Sequence, residues 1–173
     1  MLIDRILDRV SQTLLVLAAL LGFGLSFIVV ADVVGRVGFN RPLKGTPEIV
    51  SFSIVVICYL QAAYAIRSGG MINVDAFSMH LPSRVQALLA AIGCVLGTLL
   101  FALIFWGSLD GAAHAWTSNE FEGEGALRVP VWPARFVIVL GCGLASISYA
   151  LLALKQLAAF LRGEAPASIS SAH

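Results

Sequence analysis

Long apolar runs separated by short polar segments dominate the chain. Four runs contain no Asp, Glu, Lys or Arg: Val10–Ala31 (22 residues), Ile49–Ile66 (18), Val85–Leu109 (25) and Phe136–Leu154 (19). A helix rising 1.5 Å per residue needs roughly 20 residues to cross about 30 Å of hydrocarbon, so each run fits one crossing. None alternates between apolar and polar positions as a barrel strand would. The shortest run follows Pro47, suited to a first helical turn, and Glu48, which complements the positive helix end. The pattern predicts an all-α membrane protein with four transmembrane helices, spans at about 10–34, 48–67, 83–109 and 134–160, and short interfacial helices. One membrane domain then covers 1–162, and the small, polar stretch 163–173 reads as a disordered tail.

The connecting segments carry the punctuation. Residues 1–9 place Leu2, Ile3, Ile6 and Leu7 on one helical face and Asp4, Arg5, Asp8 and Arg9 on the other, which predicts an interfacial stretch leading into the first span. The segment Gly35 to Pro47 is rich in turn formers and holds Arg36, Arg41 and Lys44. The next opens on Ser68-Gly69-Gly70, a helix stop, and Val74, Phe77, Met79 and Leu81 around Asp75 predict a short interfacial helix ending at Pro82. The longest, Ser108 to Arg135, holds Asp110, Glu120, Glu122, Glu124 and Arg128-Val129-Pro130-Val131-Trp132-Pro133. Its three glutamates read as a hydrated loop rather than a calcium site. Trp132 is expected at the outer membrane boundary, fixing the start of the fourth span, with Trp116 at the end of the third.

Composition agrees: 59% of residues are hydrophobic, 12% are charged and the mean hydropathy is +0.92. Eleven basic against ten acidic residues leave +1, too little for a nucleic-acid surface. The first run exceeds the usual signal-peptide core and reads as a retained anchor. Cys58, Cys94 and Cys142 fall one per span without C-x-x-C spacing and read as structural thiols. Six basic residues flank the side of the termini and five the other, leaning toward termini inside.

Ion or proton coupling needs ionisable groups within the bilayer, and the four runs have none. Asp32 and Arg36, one helical turn apart, lie nearest and are spaced to pair. His80, His114 and His173 fall outside the spans, which removes haem ligation between facing helices. No phosphate-binding, metalloprotease or hydrolase signature is present. Gly93/Gly97, Gly22/Ser26 and Gly141/Ala145 have the small-x-x-x-small spacing of close helix packing, within this chain or against a second membrane protein.

Three segments in order, Asp32-Val33-Val34-Gly35-Arg36 running into Arg41-Pro42-Leu43-Lys44-Gly45-Thr46-Pro47-Glu48, Ala62-Ala63-Tyr64-Ala65-Ile66-Arg67-Ser68-Gly69-Gly70 leading to Ile72-Asn73-Val74-Asp75, and Val129-Pro130-Val131-Trp132-Pro133, carry a resemblance. The chain resembles the small membrane subunit (Q subunit, DctQ-type) of tripartite ATP-independent periplasmic transporters, with Met71 standing where that family often has His. The resemblance implies a multi-pass protein of the bacterial inner membrane with cytoplasmic termini. It implies a large membrane subunit as partner, which would hold the sodium, and a periplasmic substrate-binding protein that captures an organic acid. This chain would bind no cofactor and no metal, perform no catalysis, scaffold the large subunit and help dock the binding protein. Its candidate partner contacts are Asp32, Arg36, Arg41, Lys44, Glu48, Arg67, Asp75, Arg128 and Trp132, alongside membrane lipids. The competing classes are an assembly subunit of another membrane complex and a stand-alone four-helix enzyme or channel.

Overall fold

The computed structural model describes residues 2–41, 43, 45–68, 82–122 and 129–162. Four helices account for nearly all of them: α1 (Leu2–Phe39), α2 (Thr46–Arg67), α3 (Ser83–Thr117) and α4 (Trp132–Arg162). All four are long and apolar enough to span a membrane. The fold is therefore all-α, with one two-residue antiparallel pair among the described residues, β1 (Phe121–Glu122) and β2 (Val129–Pro130), closing the α3–α4 connection.

The helices outlast the uncharged runs that predict them. At 1.5 Å per residue, the 38 residues of α1 extend about 57 Å and the 35 of α3 about 52 Å, well beyond the roughly 30 Å of hydrocarbon. The amphipathic segment 1–9, expected to lead into the first span, is from Leu2 onward the first two turns of α1 itself. Charged side chains do not stop a helix once it leaves the apolar layer, because its backbone bonds are internal whatever surrounds it. Pro82 directly precedes α3, its carbonyl accepting from the Val85 and Gln86 N–H groups at 2.9 and 3.1 Å. The interfacial helix expected around Asp75 and the polar tail lie outside the described residues.

In space the helices form a row, α1–α2–α4–α3, rather than a closed bundle. Neighbours in sequence run antiparallel at both ends of the row, and α2 and α4 lie side by side in its middle. Burial follows position: the most apolar 18 residues of α4 are 28% buried, those of α2 11%, and those of α1 and α3 only 6%. The edge helices show one narrow seam each. On α3 the seam runs through Ala87, Ala91, Cys94, Thr98, Phe101, Phe105, Ser108, Ala112 and Ala115, in steps of three and four. Along α4, Ala134, Gly141, Cys142, Ala145, Ser148, Ala153, Gln156 and Ala159 are buried.

Small residues make this row possible, because lipid offers no hydrophobic drive for helix association and close packing must supply it. Gly141 backs directly onto the Tyr59 carbonyl of α2, so a Cβ there would collide with backbone. Gly97 faces the Tyr149 ring, which would lie 3.0 Å from an added Cβ, and Tyr149 stacks on Phe101 at 5.8 Å. The other halves of the predicted motifs divide. Ala145 is fully buried, Gly93 has open space around it, and Ser26 is exposed, its hydroxyl turned back to the Gly22 carbonyl at 3.0 Å. The three cysteines are free thiols, one in each of α2, α3 and α4.

Candidate functional site

The corner between α1 and α2 is organised by one carboxylate. Asp32 lies seven residues before the end of α1, is 6% exposed, and accepts two hydrogen bonds. Arg36 Nη2 donates to its Oδ2 at 2.9 Å from one turn further along, and the Leu43 N–H donates to its Oδ1 at 2.8 Å across the turn. Asp32 thus fastens the connecting segment back onto the helix it leaves. Two glycines complete the reversal. The Gly35 carbonyl accepts the Arg41 N–H at 2.9 Å, with Arg41 O so close that a Cβ on residue 35 would meet it at 2.8 Å, and Gly45 holds φ 87°, a left-handed value that disfavours other residues. Thr46 then donates to the Leu43 carbonyl at 3.1 Å and α2 begins, with Pro47 and Glu48 in its first turn.

Arg36 has one side committed and the other free. Its side chain is 61% exposed while its guanidinium is tied to a carboxylate only 8% exposed. An Asp–Arg pair so arranged presents a fixed cation at the surface, because the buried partner limits where the guanidinium can go. Glu48 has one carboxylate oxygen buried without a hydrogen-bond partner among the described residues, and Arg41 is exposed.

At the opposite end of the helices a second cluster joins three elements. Arg67, in the last turn of α2 and with its side chain 11% exposed, donates from Nε to Asp8 Oδ1 at 2.6 Å and from Nη2 to the Asp4 carbonyl at 3.1 Å. Lys155 of α4 reaches Asp4 Oδ1 at 2.8 Å. Two carboxylates of α1 are thereby held by cations from α2 and α4.

The α3–α4 connection is the third site. Trp132 is the first residue of α4 and packs edge to face with Trp116, the penultimate residue of α3, at 5.1 Å between centroids; Phe136 closes the group at 6.0 and 6.3 Å. Glu120, expected to be hydrated with its two neighbours, instead pairs with Arg135 at 3.3 Å, and its carbonyl accepts the Val131 N–H at 3.0 Å. Both charged side chains remain about two-fifths exposed. The pairing arises because β1–β2 brings the two ends of the loop together.

The nine expected contact residues therefore distribute over the molecule. Asp32 and Arg36 meet as their spacing predicts, with Arg41 and Glu48 on the same corner. Arg67 belongs to the opposite end, and Trp132 to the α3–α4 connection. Lys44, Asp75 and Arg128 lie outside the described residues. Sequence reasoning missed Lys155, Asp4 and Asp8 as partners of one another and of Arg67. Their separations, 151 residues for Lys155–Asp4 and 59 for Arg67–Asp8, leave no local signal beyond an odd density of charge beside apolar runs. Among the described residues no group of three or more His, Cys, Asp or Glu is placed to hold a metal.

Comparison with known proteins gives one match. The family model for tripartite ATP-independent periplasmic transporters, DctQ component, matches residues 25–160, which take in the last 15 residues of α1, all of α2 and α3, the β1–β2 pair and all of α4 but its last two residues, and leave out residues 2–24 of α1. The curated proteins and the solved structures give none.

Proposed function

This chain belongs to the DctQ component family of tripartite ATP-independent periplasmic transporters, and from that premise we propose that it is the rigid, non-coupling partner of the large membrane subunit. It is a multi-pass membrane protein and the small membrane subunit of such a transporter. The observation that carries the proposal is the open row. Both edge helices show broad apolar surfaces along most of their length, and the row does not close to cover them. Such a sheet of helices widens a partner laid against it. Bracing is its role in this reading: it holds the stationary part of the large subunit while the transporting part moves.

Two further features support the division of labour. Asp32, the buried carboxylate directly past the first uncharged run, is already satisfied by Arg36 and a backbone N–H, which leaves it unsuited to relaying an ion. Sodium coupling and the organic-acid site accordingly belong to the large subunit. Exposed Arg41 and the surface-held Arg36 supply cationic contacts on the corner where a periplasmic binding protein would dock, with the termini cytoplasmic and the chain in the inner membrane.

Reconstitution tests the proposal. Purified alone into liposomes under a sodium gradient, the chain should give no solute uptake above empty liposomes, and adding the large subunit and binding protein should restore it. Uptake by this chain alone overturns the reading.

A further inference from the structure

The side of α1 that faces away from the rest of the molecule joins part of that open apolar surface to two cations that the transporter reading does not use. Leu7, Ser11, Ala18 and Asp32 are buried, which fixes the direction of the α1–α2 seam. At 100° per residue, Arg5 and Arg9 point nearly opposite to it, one turn apart on the outermost ridge of the helix. The same ridge continues through Val16, Leu20, Phe23 and Phe27, which are 57%, 62%, 65% and 62% exposed.

Charge is sorted sharply around this helix end. Asp4 and Asp8, the two acids among the first nine residues, are occupied by Lys155 and Arg67 on the inner side. Arg5 and Arg9 are both exposed and form no ion pair with any described residue. The acids that lie closest in sequence, and that would otherwise neutralise them, are thus turned away by contacts to other helices. Two adjacent unneutralised cations remain at the level where the apolar run begins, since Val10 is the first residue of the uncharged stretch.

We propose that this ridge is a binding site for an anionic phospholipid, its phosphate held between Arg5 and Arg9 and an acyl chain lying along Val16 and Leu20. The dimensions match. From Arg9 to Leu20 is 11 residues, about 16 Å of helix, close to one leaflet of a hydrocarbon layer roughly 30 Å thick. Thermodynamically, basic residues just outside the apolar layer are attracted to anionic headgroups, and an exposed apolar stripe in line with them fits the attached chain. A soluble anion would use the arginines alone, and an acidic protein partner would not require the stripe to begin at the phosphate.

The test uses the full chain in a neutral detergent, with phosphatidylglycerol or phosphatidylcholine titrated into the micelles and the thermal unfolding midpoint as readout. Phosphatidylglycerol should raise the midpoint and phosphatidylcholine should not. In Arg5→Gln/Arg9→Gln the lipid concentration for half the shift should rise about tenfold or more. Arg5→Lys/Arg9→Lys should keep most of the response, and Arg41→Gln, at the other end of the helix, should leave it unchanged. Equal shifts with the two lipids, an undiminished shift in the glutamine variant, or the same shift from inorganic phosphate overturns the site. Loss of copurification with the large subunit in the glutamine variant, with its lipid response intact, assigns the ridge to a protein contact instead and overturns it equally.

Discussion

α4 and α1 are both long and apolar, but they are secured in different places. On α4, burial recurs along the whole helix through Gly, Ala, Cys and Ser, from Ala134 to Ala159. On α1, no residue between Ala18 and Asp32 is buried, and its polar contacts to other segments sit near its ends: Asp4 and Asp8 to Lys155 and Arg67 at one, Asp32 to the Leu43 N–H at the other. Where lipid gives no hydrophobic drive, a helix is gripped along its middle only if small residues allow backbone to approach backbone. α1 lacks that density, so its ends carry the attachment. The outward face of its middle is left open to lipid or to another subunit.

The largest expected effect breaks the grip at the middle of α4. Gly141→Leu forces a side chain into the Tyr59 carbonyl, which has no rotamer by which to yield, and should cost about 3 kcal/mol or more by chemical unfolding in detergent. A cost below about 1 kcal/mol would remove the central seam from the account. Next comes the C-terminal end of α1. Asp32→Ala strands the Leu43 N–H and frees Arg36, for about 2 kcal/mol, whereas Asp32→Asn keeps an acceptor for Leu43 and should cost about half as much. Equal losses in the two variants would mean that the backbone hydrogen bond matters little there. The smallest effect sharpens the contrast from the other edge. Gly93→Leu enters open space on α3 and should change the stability of the isolated chain by no more than about 0.5 kcal/mol, despite sharing a G-x-x-x-G with Gly97. A large loss there would show that α3 is also gripped on its outer side.

The four spans were legible because an uncharged run of about twenty residues has few alternatives to a membrane helix. The Asp32–Arg36 pair was legible because one helical turn separates its members, and Trp132 because Pro133 behind it suits a first turn. What the sequence concealed is long-range. Small-x-x-x-small spacing marks a surface where a backbone can approach, and says nothing of whether one does: Gly141 meets Tyr59, and Gly93 meets nothing. Glu120 looked like one of three equivalent loop charges until the chain brought Arg135 beside it. Helix ends were underestimated for a related reason, since charge-free length measures the hydrocarbon and not the helix.

The row order has a consequence for how the chain is made. α1–α2 and α3–α4 are hairpins of consecutive helices, each able to pair as soon as its second member leaves the ribosome. The contact that unites them, α2 against α4, must wait for the whole of α3 and the α3–α4 connection to be synthesised. Until then the Tyr59 carbonyl side of α2 faces lipid or whatever assists insertion. A Gly141 variant would therefore keep both hairpins and be impaired in the step that joins them.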